Sequence, residues 1–96
     1  MNIRYYLQNV NEDCREGVEK FFSEKKMGQI EKFLKPNEKD LSQLTVRVEY
    51  FEKHNAFSAK VELAFGKEVF FGEEQSHSVK KAVNQATKRL VSQLKK

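Results

Sequence analysis

Apolar and polar residues alternate with a period of two, twice in succession, between Leu44 and Phe65, and this limits the fold more than any other feature. Leu44, Val46, Val48 and Tyr50 alternate with Thr45, Arg47 and Glu49. Phe57, Ala59, Val61, Leu63 and Phe65 then alternate with Ser58, Lys60, Glu62 and Ala64. Successive side chains of a strand point to opposite faces, so each run is a strand with one buried and one polar face. A sheet built this way needs cover on one side only. Lys53 to Ala56 forms the turn between the two strands. Gly66-Lys67 makes a tighter turn into a last strand around Glu68 to Gly72.

The helices follow from the remaining pattern. Asn2 to Gln8, with Ile3, Tyr5, Tyr6 and Leu7, is a β-favouring start and a first strand. Asn9 or Asn11 offers an N-cap, and Glu12 and Asp13 favour the positive helix end. Val18, Phe21, Phe22, Ile30, Phe33 and Leu34 are the buried side of one long first helix. Gly28 is a weak point or kink within it, and Pro36 ends it. Lys35 to Asp40 is a polar connection, and Ser76 or Ser78 caps a final helix. The expected fold is α+β: a two-layer β-α-β-β-β-α arrangement with two helices on one face of a four-stranded sheet. With 96 residues, the chain makes a single domain, 1–96, around one core.

Charge is concentrated in the final helix. All fourteen acidic residues lie at or before Glu74, whereas Lys80, Lys81, Lys88, Arg89, Lys95 and Lys96 follow it. At 100° per residue, Val79, Ala82, Val83, Ala86, Leu90 and Leu94 share one side. Lys80, Lys81, Lys88 and Lys95 fall opposite, with Arg89 and Lys96 bordering them. A solvated surface usually mixes signs, because Glu–Lys pairs stabilise a helix. A cationic side without acids suits a polyanion, nucleic acid first. The net charge of +4 agrees with an anionic partner.

Catalytic chemistry has little to work with. His54 and His77 sit in turn regions without a Cys or second His at metal-ligand spacing. Cys14, the only cysteine, lies on the apolar side of the first helix as a small buried thiol. It excludes an internal disulfide and suits a reducing cytoplasm. The glycines form no phosphate loop. Glu73 and Glu74, adjacent on a strand end, point to opposite faces. Phe51 and Phe70 are the aromatics expected to be exposed. No apolar run approaches a membrane span, and the N-terminus lacks the apolar core of a secretion signal. A soluble cytoplasmic protein is expected, neither an enzyme nor a binder of cofactor, metal or small-molecule substrate.

The stretch from His77 to Leu94 resembles the end of the ribosome hibernation-promoting factors and ribosome-associated inhibitors, sometimes named after sigma-54 modulation. His77, Val79, Ala82, Val83, Asn84, Ala86, Arg89, Leu90, Gln93 and Leu94 fit the family pattern without a gap. The start is similar too, with a Met-Asn-Ile strand, Asn9-Val10, and a helix ending in Gln29-Ile-Glu-Lys-Phe33. In two places the chain departs from the pattern: Lys80 replaces a Tyr and Ser92 an Arg. The first helix is also about one turn longer, with Lys25 and Lys26 where an apolar residue is expected.

The resemblance implies a short-form factor that binds the small ribosomal subunit, both RNA and protein, where messenger and transfer RNA meet. Such a factor blocks translation and preserves idle ribosomes by occupancy alone. Lys32, Arg89 and Lys96 carry over as cationic positions; Lys80, Lys81, Lys88 and Lys95 are this chain's own additions. The double-stranded RNA-binding domain is the rival. It also ends β-β-β-α, and His54, Phe57 and Lys80-Lys81 imitate its motifs. It has no N-terminal strand, however, and Asn84 stands at its third lysine. A protein-interaction domain is the second alternative.

Overall fold

The computed structural model describes residues 2–23, 27–34 and 41–95. Strand β1 (Asn2–Gln8) is followed by helices α1 (Glu12–Phe21) and α2 (Met27–Glu31). Strands β2 (Gln43–Phe51), β3 (Ala56–Phe65) and β4 (Glu68–Ser76) come next, and helix α3 (Val79–Leu94) closes the order. The sheet runs β1-β2-β3-β4, with β1 parallel to β2 and the other pairs antiparallel. The α+β, four-stranded architecture read from the sequence is therefore present.

Alternation produces the layering. Leu44, Val46 and Val48 of β2 and Ala59, Val61 and Leu63 of β3 are all buried. Val18, Phe22, Ile30 and Leu34 pack on them from the first helical region, with Ala82, Val83, Ala86 and Leu90 from α3. The intervening residues Arg47 and Lys60 belong to the open face. There Arg47 stacks 4.5 Å from the Tyr6 ring and Lys60 4.9 Å from the Phe71 ring.

Four local expectations are corrected. The first helical region is not one regular α-helix: α1 and α2 are separate stretches of α-geometry, and residues 24–26 lie outside the described residues. Asn11 caps α1 by accepting from the Cys14 N–H at 2.8 Å. Regular α-geometry then stops at Phe21, with a π-type turn at Phe22 and Ser23. Gly28 lies inside α2, and a Cβ there would meet nothing within 4 Å. Lys32, Phe33 and Leu34 end the helix in tightening turns: Phe33 donates to the Ile30 carbonyl and Leu34 to that of Glu31. The stop thus comes before Pro36, which lies outside the described residues with Lys35 to Asp40, Lys25 and Lys26.

Strand β4 runs on to Ser76 rather than stopping at Gly72, so Glu73 and Glu74 are strand residues. Glycine at 72 is a point of close approach, not a terminator. Its Cβ would run into the Ala86 carbonyl oxygen and lie 2.6 Å from the Leu90 nitrogen. Because Gly72 faces α3, Phe70 does too, and it stacks on Phe65 with ring centroids 5.7 Å apart. Phe71, not Phe70, is the exposed aromatic of this strand; Phe51 is exposed as expected.

Candidate nucleic-acid interface

Ser78 starts α3, its hydroxyl accepting from the Lys81 N–H at 3.4 Å. The buried side of the helix is Ala82, Val83, Ala86, Thr87 and Leu90. Thr87 is polar yet buried, because its hydroxyl donates back to the Val83 carbonyl at 2.8 Å. With that side committed to the sheet, Lys80, Lys81, Lys88, Arg89 and Lys95 are left exposed. Lys81, Lys88 and Lys95 recur every seven residues, a stripe with steps of about 10 Å along the axis.

Among the described residues, neither Lys80, Lys81, Lys88 nor Lys95 forms an ion pair. The first turn of α3 contains no acid, so Lys80 and Lys81 stand unneutralised at the positive end of the helix dipole. Cations there are unfavourable by roughly 0.3–1 kcal/mol each. Helix stability therefore does not account for them, whereas an incoming phosphate would be attracted by both the lysines and the dipole.

Arg89 differs from the lysines. Its Nε and Nη2 donate to Glu74 Oε2 at 3.2 and 2.9 Å, while the Gln75 N–H donates to Glu74 Oε1 at 3.1 Å. The Gln75 amide, then Arg89, hold the Glu74 carboxyl below the usual glutamate range. The face of α3 is acid-free within the helix, but β4 delivers a carboxylate to its border. Sequence distance hid this pairing, since fifteen residues separate the partners. Lys32 is exposed in the turn after α2, its Nζ 5.4 Å from the Phe33 ring centroid. Lys96 lies outside the described residues.

Two further positions of the family-like stretch have internal roles. His77 Nδ1 donates to the Asn55 carbonyl at 2.7 Å, tying the start of α3 to the β2–β3 turn. Asn55 itself takes a left-handed φ of 47° and accepts from the Tyr50 hydroxyl at 2.7 Å. Gln93 Oε1 accepts from the Phe71 N–H at 3.0 Å, satisfying a donor on an edge strand. Cys14 is half-buried, not buried as expected, and lines a groove between α1 and α3. Among the described residues no cluster of His, Cys, Asp and Glu could hold a metal ion. No helix among them is long and apolar enough to cross a membrane.

The sequence matches the family model described as sigma 54 modulation protein / S30EA ribosomal protein over residues 8–96. No curated protein matches it significantly. The fold is similar to the N-terminal domain of Thermus thermophilus Protein Y, with a TM-score of 0.72 at 20% identity over 99% of this chain and 97% of that one. It is also similar to a ribosomal subunit interface protein from Coxiella burnetii, with a TM-score of 0.68 at 15% identity over 99% and 94% of the two chains.

Proposed function

The chain belongs to the sigma 54 modulation / S30EA ribosomal protein family, and from that premise we propose that it is a ribosome hibernation factor. In this reading it binds the small ribosomal subunit where messenger and transfer RNA meet, blocks translation and preserves idle ribosomes in the cytoplasm. Its partners are ribosomal RNA and ribosomal proteins. The observation that carries the reading is the face of α3, where Lys80, Lys81, Lys88 and Lys95 are exposed and, among the described residues, unpaired with acid. Ribosomal RNA phosphates supply the missing anions, and counterion release drives association. Arg89, Lys96 and Lys32 are secondary contacts, Arg89 having to share its guanidinium with Glu74. Inhibition requires no bond to be made or broken, nor any cofactor or small-molecule substrate, because the bound protein excludes the substrates of the ribosome.

The strand β1 counts against the duplex-RNA module, which has no such element. The two readings separate in a competition assay at fixed, near-physiological salt. A hibernation factor co-sediments with the small subunit, is displaced by transfer RNA, and prefers the subunit to a plain hairpin. A duplex-RNA module needs only A-form geometry over roughly 16 base pairs and binds the hairpin equally well. Equal affinity without displacement would sink the hibernation reading. Failure to bind any RNA even at low salt would favour a protein-interaction domain.

A further inference from the structure

A groove of about 420 Å³ runs between α1 and the start of α3. Cys14, Val18 and Phe21 wall it on one side and Val79 and Val83 on the other, with Lys20 and Lys80 also on its lining. Gly17 lines it as well, in the interior of α1, where glycine weakens a helix relative to alanine. A Cβ at Gly17 would meet nothing within 4 Å. Packing among the described residues therefore does not require this glycine, in contrast to Gly72, where α3 occupies the space. What the missing side chain preserves is open volume in the groove.

We propose that the groove receives a single unpaired nucleobase of RNA, with Lys20 and Lys80 on the flanking phosphates. Its volume lies within the range of roughly 300–1,000 Å³ typical of sites for small organic ligands. Apolar walls and the Phe21 ring suit the faces of a flat heterocycle. Cations contributed by both helices match a base whose backbone continues on either side, the way unpaired RNA is held elsewhere. An apolar peptide side chain would use the walls and leave the lysines without a partner. Asp13 is the one carboxylate on the lining and is an acceptor for a base amino group. The proposal rests on the ribosomal RNA reading and adds to it a preference for unpaired over paired nucleotides.

Cys14 is the only thiol and serves as the reporter. Its alkylation by iodoacetamide is followed alone, with oligoadenylate of about twelve nucleotides, and with a fully paired hairpin carrying the same number of phosphates. Oligoadenylate is expected to slow alkylation several-fold and the hairpin to leave it unchanged. Gly17→Leu, which fills the groove, is expected to bind oligoadenylate about tenfold more weakly while melting no lower than the parent. Gly17→Ala gives a smaller loss in the same direction and serves if the leucine variant does not fold. Equal protection by both RNAs, no protection by either, or undiminished binding by the folded Gly17 variants would overturn the proposal. So would protection by RNA-free ribosomal protein alone, which would assign the groove to a polypeptide. A chain that co-sediments with the small subunit while Cys14 stays equally reactive defeats the groove proposal and leaves the ribosome reading standing. Failure to co-sediment at all defeats the ribosome reading.

Discussion

Gly72 and Glu74 decide how α3 sits on the sheet, one by what it lacks and the other by what it reaches. At Gly72 the helix backbone comes so close that a methyl group would displace Ala86 and Leu90. Overpacking of a rigid contact destabilises by about 1–3 kcal/mol and occasionally more. Gly72→Ala is expected at or above the top of that range, because backbone rather than a flexible side chain must move. Denaturant unfolding measures it, and a loss below about 1 kcal/mol would contradict so close a contact. Glu74 accepts from Gln75 and Arg89, which depresses its pKa in the folded state. A depressed carboxyl contributes stability that is complete above the unfolded pKa and is lost as pH falls through the folded one. Between about pH 5 and pH 3 the parent should therefore lose more stability than Glu74→Gln, in urea titrations at each pH. The difference will be small, since Arg89 is 62% exposed and surface pairs are weak.

At the scale of the element, the first turn of α3 runs against the stability of its own helix. Lys80 and Lys81 oppose the dipole at the end where acids would help. Changing both to Glu is expected to leave the melting temperature unchanged or raise it, while RNA binding weakens. If each contacts a phosphate, the log–log salt slope of RNA binding falls by roughly 0.7–0.9 per lysine. A lower melting temperature would mean that the lysines stabilise the helix, and an unchanged slope that they are merely solvated. The same helix is held by His77 at its start, Arg89 in its middle and Gln93 near its end. These three contacts join it to the β2–β3 turn and to β4.

At the scale of the whole molecule, one layer of helices covers one face of the sheet and the other face stays in water. Leu90, fully buried, and its neighbours on α3 supply half of that cover. Removing residues from Ser76 onward exposes Val61, Leu63 and Phe70, and the truncated chain is expected to lose cooperative unfolding. A cooperative transition near the full-length stability would refute this division of the core. On the open face Arg4, Arg47 and Lys60 are matched by Glu49, Glu62 and Glu73, leaving that surface close to neutral. Among the described strand residues, the open face thus carries no excess of cations.

Periodicity alone determined the strands of residues 44–65, the sidedness of α3 and the exposure of its lysines, because a period of two or of 3.6 assigns faces without knowledge of any neighbour. The family-like stretch in α3 was legible for the same reason, being contiguous along one helix. The phase of β4 was not legible: Val69, Phe70 and Phe71 are all apolar, so only pairing with β3 and the approach of α3 at Gly72 settle which ring is buried. Nor did the periodic pattern reveal that regular helix stops at Phe21, since buried residues continue beyond it. Glu74 meeting Arg89, Gln93 meeting Phe71 and the groove beside Gly17 each join residues distant in sequence. Such contacts have no local signal, and tertiary packing alone brings them into being.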